Sequence, residues 1–428
     1  MMKLTDLITQ IQNGEMDEKF REIYVDESLI TYHRQRYVKL LERFREMFPD
    51  KQEVAVFSAP GRSEVCGNHT DHQNGMVLAT SINLDAIAVV APTEDGVIRL
   101  KSDDYPMETV DITNLEQNNA EFGTTTALIR GVVAGLKERG HAVGGFAAVV
   151  TSDVLMGAGM SSSAAFESLV GTILSGLYNE MSVSSVEIAK IGQYAENVYF
   201  GKPCGLMDQM ACSVGGMIYI DFADKANVIV EKIDSDFKAQ GLNLCIVDTK
   251  GSHADLTPDY AAVPAEMNSV AKALGKEHLR EVAEEEFYSK IPALRKLVGG
   301  RAVLRAIHFY EEEKRVLLAA ESLKNGDYDT FLETVKASGD SSAKFLQNIY
   351  SPKDIDAQNV TVALAVTETI IKDQGVCRVH GGGFAGTIQV FAKDSVVEEY
   401  KEKIEKIFGE GSCHVLKVRN AGGICVIR

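Results

Sequence analysis

Apolar residues recur at spacings of three and four through Tyr37, Leu40, Leu41, Phe44 and Phe48, which predicts a helix in the first fifty residues ending at Pro49-Asp50. The pattern then changes to short apolar runs, Val54 to Phe57 and Met76 to Val90, expected as two strands flanking a polar loop from Gly61 to Gly75. A helix from about Thr124 to Gly140 and a strand from Gly145 to Thr151 follow. In the next helix Ala165, Phe166, Leu169, Val170, Ile173, Leu174, Leu177 and Tyr178 form a one-sided apolar stripe suited to packing on a sheet. Strands are expected at Met217 to Asp221 and Leu242 to Asp248, then a charge-rich helical stretch from about Ala262 to Asn348. The tail returns to strands at Val376 to His380, Thr387 to Ala392 and Gly423 to Ile427, with a helix from about Ser395 to Phe408. The runs Glu284 to Glu286 and Glu311 to Lys314 are expected on solvated helix faces without function.

With 428 residues, 45% of them hydrophobic, the chain can bury two or three cores. Its seven cysteines are scattered and never spaced as CxxC, which indicates a reducing compartment rather than a disulfide framework or a zinc module. Met1 to Tyr24 has neither a signal-peptide core nor transit-peptide character, and no run of eighteen apolar residues is free of charge, so a soluble cytoplasmic protein is expected. The net charge of -17 argues against nucleic-acid and anionic-membrane partners.

Three segments could carry chemistry. Arg62, Asn68, His69, Thr70, Asp71 and His72 crowd one polar stretch, readable as a surface loop, as a pocket rim for a polyhydroxylated or phosphorylated ligand, or as a metal site, the last disfavoured by the absence of HExxH spacing. Met156-Gly157-Ala158-Gly159-Met160-Ser161-Ser162-Ser163 leads from a strand into a helix. It is not a Walker A loop, a dinucleotide fingerprint or a nucleophile elbow, which leaves a backbone cradle for phosphate at a helix N-terminus. Three consecutive serines also exceed what one helix cap needs. His380 to Gly386 matches GxGxxG in letters but is followed by a strand, so it is either a glycine-rich hairpin or a backbone passing close to a ligand. Between the second and third segments, Asp208 in an apolar run must be paired, capping or poised to accept a proton, and Glu196 could supply an oxygen ligand to Mg2+.

In this order the segments resemble the GHMP family of small-molecule kinases, and within it the galactokinases. The resemblance implies an α+β, two-domain GHMP-kinase-like fold with the active site in the cleft between residues 1–232 and 233–428. It implies ATP and Mg2+ as cofactors and a small-molecule sugar as acceptor, phosphorylated on its anomeric hydroxyl; the sequence does not give the oligomeric state, with a monomer favoured. Asp208 would be the catalytic base and Arg62 the cation on the transferring phosphoryl group. Asn68, His69, Thr70, Asp71 and Tyr260 would bind the sugar, Gly157, Ala158, Gly159, Met160, Ser161, Ser162 and Ser163 the ATP, and Ser163 with Glu196 the metal. Asn68 stands where galactokinases usually carry glutamate and His72 where they carry tyrosine, so a related sugar, N-acetylgalactosamine or a pentose, is the alternative to galactose. A non-catalytic sugar and ATP sensor would have a damaged phosphate loop, whereas Ser161 to Ala165 is complete.

Overall fold

The computed structural model describes residues 1–155, 159–252 and 256–428; Gly157 and Ala158 lie outside the described residues. Two antiparallel-rich sheets organise the chain. The larger, of nine strands among the described residues, is built around Glu53–Cys66 and Met76–Thr93, which pair over most of their length. Gly145–Ser152 and Met217–Asp221 add to Met76–Thr93. The last strand, Ile424–Ile427, returns from the end of the chain to pair with Glu53–Cys66. The smaller sheet runs Gly375–Val379, Thr387–Lys393, Leu242–Asp248, Cys413–Leu416.

The first strand differs from the expectation. It does not end before Gly61 but continues through Arg62, Ser63 and Glu64 to Cys66, and all of these residues are buried. Polar side chains can occupy a buried strand here because each is met by another polar group, so hydrophobicity alone misplaces the strand end. The helix Ser162–Tyr178 also departs from a one-sided stripe, since its polar positions Glu167, Ser168, Thr172 and Ser175 are buried as well. It is a central helix, with Leu169, Val170, Ile173 and Leu174 packed into a core shared with Phe57, Val90 and Val150. The charge-rich stretch resolves into Thr257–Ala273, Glu284–Leu297, Gly300–Lys324 and Tyr328–Ser341. No helix among the described residues is long and apolar enough to cross a membrane.

One buried ionic cluster ties both chain ends to the large sheet. Asp85, on Met76–Thr93 and fully buried, accepts from Arg36 at 2.5 Å, Arg419 at 2.9 Å, the Tyr24 hydroxyl at 2.9 Å and Ser58. Arg36 belongs to the N-terminal helix Ile30–Met47, and Arg419 precedes the last strand. Burial pushes the Asp85 carboxyl up, but the two guanidinium charges and the Ser58 hydrogen bond outweigh it and bring it down to about 2 from 3.8. The folded form thus holds its proton more weakly than the unfolded chain, so this stabilisation is present above pH 3.8 and is lost as the pH falls towards 2. Asp85→Asn is expected to cost about 3–5 kcal/mol, by leaving two buried arginines short of an anion. It should also flatten the acid limb of stability in urea unfolding between those pH values; an unchanged acid limb would contradict this role.

Candidate active site

Arg62 and Glu64, two residues apart in a regular stretch of strand, point to the same face. Opposite them the helix Met207–Val214 carries Asp208 in its first turn, where the helix dipole favours a negative charge. The two elements meet in a bidentate pair. Arg62 Nε lies 2.7 Å from Asp208 Oδ1, and Arg62 Nη2 lies 2.7 Å from Oδ2. Arg62 Nη1 also donates to the Gly159 carbonyl, and the Arg62 amide to the Met160 carbonyl at 3.2 Å, which fastens the serine-rich turn to the same strand.

Ser161 takes a left-handed backbone with φ of 54° and does not cap the helix that begins at Ser162. Its hydroxyl donates to Asp208 Oδ2 instead. Gly159 has φ of 69°, and a side chain there would run into Thr387 and His380. Burial pushes the Asp208 carboxyl up, while the Arg62 charge and the hydrogen bonds from Arg62 and Ser161 more than offset it. The group therefore lies below its ordinary 3.8 and is ionised at neutral pH.

Arg62 and Asp208 line a cavity of about 180 Å3 whose other walls include Glu64, His69, Asp71, Gly205 and Gly382. The Asp71 carboxylate lies against bare Gly205, where a Cβ would come within 2.4 Å of it. His69 reaches the Gly382 carbonyl at 3.1 Å, and burial lowers its ring to about 3, so the imidazole is neutral. Tyr260 lies one step away, on the wall of an adjoining cleft of about 1110 Å3 that shares His69, Asp71 and His72, and its hydroxyl donates to the Gly383 carbonyl at 2.9 Å. The glycine-rich segment is both a hairpin connection and a brace: the carbonyls of Gly381, Gly382 and Gly383 accept from Asn68, His69 and Tyr260 in turn.

Two expected sugar ligands have their polar groups engaged elsewhere. Thr70 is fully buried, with its hydroxyl 2.8 Å from the Gly67 carbonyl and 2.6 Å from that of Met76, so it closes the turn beneath the cavity. Asn68 reaches the cavity wall but is 0% exposed and its amide is held by protein partners.

Glu196 lies in a π-helical turn, Ala195–Phe200, the kind of irregularity often found at functional sites. Its buried carboxylate accepts from Gln209 at 2.9 Å and faces Lys202 at 3.5 Å. Gln209 also donates to Glu167 at 3.1 Å, so one amide serves two buried acids. Burial and the nearby Glu196 charge push Glu167 well up, and Glu167 Oε1 has no hydrogen-bond partner among the described residues. Glu196 and the unpartnered Glu167 Oε1 are oxygen donors of the kind a hard divalent cation takes, although among the described residues no three acidic, histidine or cysteine side chains gather into a metal site.

The run Glu311 to Lys314 is not a solvated face throughout. Glu312 is fully buried and accepts from the Gly67 amide at 2.9 Å, from Ser338 and from Arg315 at 2.6 Å; Glu313 accepts from the Met76 amide at 2.6 Å and from Arg280. The two acids thus hold the two ends of the loop that carries Asn68, His69 and Asp71. Burial pushes Glu312 up, but His308, Arg315 and Arg378 bring it far below the usual carboxylate range. His308 and Arg315, four before and three after Glu312 on one helix face, were the available signal.

Residues 42–92 match the galactokinase galactose-binding signature, and residues 127–216 match the GHMP kinases N terminal domain. The chain is 30% identical over 385 residues to a galactokinase of Streptomyces coelicolor, covering 89% of this chain and 95% of that protein. The chain belongs to the galactokinase family. A galactokinase of Thermotoga petrophila is 30% identical over 82% of this chain and 94% of its own length. The crystal structure of Lactococcus lactis galactokinase complexed with galactose shares the fold, with TM-score 0.75 and 24% identity over 90% of this chain and 98% of that one. So does Methanococcus jannaschii mevalonate kinase, with TM-score 0.60 and 18% identity over 86% and 98%. The galactokinase family's GHMP fold is thus the α+β arrangement expected from the sequence, and the galactose-binding signature spans the strand and loop that Glu312 and Glu313 clamp.

Glu312→Ala is expected to cost about 3–5 kcal/mol in denaturant unfolding, because it strands Arg315 and the Gly67 amide in a buried site. It should also speed hydrogen exchange across residues 67–76 of this galactokinase-family chain. A loss below about 1 kcal/mol, the range of a solvated pair, would contradict the clamp.

Proposed function

We propose that the chain is an ATP-dependent sugar 1-kinase that transfers the γ-phosphoryl of ATP to the anomeric hydroxyl of galactose, giving galactose 1-phosphate and ADP. The observation that carries this reading is the bidentate Arg62–Asp208 pair at one end of a polar cavity, with the serine-rich turn fastened beside it, in a galactokinase-family chain. Strand Glu53–Cys66 and helix Met207–Val214, both within residues 1–232, supply Arg62 and Asp208, and the Gly381–Gly382 wall comes from 233–428, with the cleft as the proposed domain boundary.

Phosphoryl transfer needs positioning and charge neutralisation more than covalent help. The sugar enters the cavity with its anomeric hydroxyl towards Asp208, while His69 and Asp71 hold the ring and Tyr260 closes the outer side. ATP lies with its phosphates along Gly157 to Ser163, where unpaired amides at the start of helix Ser162–Tyr178 favour anions. Glu196 and the Ser163 hydroxyl would hold Mg2+, which when bound offsets the charge of the phosphate oxygens. As the acceptor oxygen bonds to phosphorus, its proton passes to the ionised Asp208 carboxylate, and the bond to the ADP oxygen breaks. Arg62 keeps Asp208 ionised beforehand and faces the transferring group as its charge redistributes.

Asp208→Ala should lower turnover of galactose and ATP by roughly 10²–10⁴-fold, as loss of a general base does, and turnover equal to wild type would overturn the assignment. Arg62→Met removes the main force opposing burial at Asp208, so the acid limb of kcat/KM should move to higher pH along with any fall in rate; a limb left in place would separate Arg62 from the state of Asp208. Glu196→Ala should raise the Mg2+ concentration needed for half-maximal rate and leave galactose affinity nearly unchanged. Parallel loss of sugar binding would show that Glu196 serves the sugar rather than the metal.

A further inference from the structure

Glu64 has no role in the mechanism above, yet its carboxylate lines the same cavity as Arg62 and Asp208. The register Arg62 to Ser81 and Glu64 to Ala79 is regular, so the two side chains stand on one face roughly 6.7 Å apart along the strand. Asn68 lines the same cavity but is held by protein partners. Its Nδ2 donates to Glu64 Oε1 at 3.0 Å and to the Gly381 carbonyl at 2.7 Å. Its Oδ1 accepts from Asn348 at 2.8 Å and from Ser342 at 3.4 Å. Both amide donors and one acceptor position are thus firmly taken, and the second acceptor position faces only the long Ser342 contact.

Glu64 is differently disposed. Oε1 is held by Arg378 at 2.9 Å as well as by Asn68. Oε2 has a single partner among the described residues, the same Asn68 nitrogen at 3.3 Å, a long second branch of a shared contact. Oε2 thus keeps hydrogen-bonding capacity on a cavity-lining carboxylate that Arg378 and Asn68 hold in place. We propose that Glu64 accepts a hydrogen bond from a substrate hydroxyl on the ring edge remote from the anomeric carbon, with Asn68 and Arg378 as its clamp. This rests on the sugar-kinase reading above and names the residue that sets sugar discrimination within it.

The test compares kcat/KM for galactose and its 2-, 3-, 4- and 6-deoxy forms in wild type, Glu64→Gln and Glu64→Asp. A charge-assisted hydrogen bond predicts that wild type prefers galactose over one of the 3-, 4- or 6-deoxy sugars by at least about tenfold. In Glu64→Gln that one ratio should fall at least about fivefold, with the other ratios and the KM for ATP within about twofold of wild type. Glu64→Asp keeps the charge beside Arg378 but withdraws it by one methylene, and should lose discrimination at the same hydroxyl even if the amide variant does not fold. Proportional losses for every sugar, or a change confined to the 2-position, would overturn the role of Glu64 and leave the kinase reading intact. A wild type that phosphorylates none of these sugars would instead remove the reading on which the role rests.

Discussion

The bidentate contact between Arg62 and Asp208 fixes the geometry of everything around it. Arg62 is buried and Asp208 partly so, and such a pair holds best when each member is met by further polar groups, which here belong to the loops that must be positioned. Arg62 reaches back to the Gly159 carbonyl, Ser161 reaches across to Asp208, and the backbone of Arg62 binds that of Met160. The strand, the serine-rich turn and the helix Met207–Val214 are thereby locked to one another without a bound substrate. The same contact sets the ionisation that a proton acceptor needs.

A second level of support lies behind the cavity. Glu312 and Glu313, from the long helix Gly300–Lys324, fasten the Gly67 and Met76 amides at either end of the polar loop, and the Gly381–Gly383 carbonyls cover it from the smaller sheet. The cavity wall is thus assembled from three regions distant in sequence, each contributing hydrogen bonds rather than apolar contact. Such a site is stiff because leaving any member unpaired is costly. Asp85 does the corresponding work for the ends of the chain, on the same long strand that pairs with the Arg62 strand.

Periodicity made the main elements legible in the sequence: the strands Met217–Asp221 and Leu242–Asp248 have the expected bounds, and the helix starting at Ser162 follows the glycine and serine turn as read. The ordered motifs made the family legible too, and the chain's 30% identity to curated galactokinases agrees. What stayed hidden was burial of polar groups. Arg62, Ser63 and Glu64 look like loop and are strand, because their partners Asp208, Gln389 and Arg378 lie from 146 to more than 300 residues away. Glu312 looks like a solvated charge for the same reason, since Gly67 is 245 residues distant. Thr70 looks like a ligand because its hydroxyl is turned to backbone carbonyls only once the turn is formed. The short strands Val97–Ser102 and Met107–Asp111 and the helix Asn359–Ile371 were among those not anticipated, the strands being short hairpin arms and the helix mixing apolar residues with threonines on several sides, which leaves little amphipathic signal.

If Arg62 and Asp208 act as a cation and a base in one direct displacement, phosphorus must change hands once. Transfer from ATP made chiral at its γ-phosphorus to galactose should then give galactose 1-phosphate with inverted configuration. Retention of configuration would mean two displacements through a phosphorylated side chain, and would contradict the role of Asp208 as a proton acceptor.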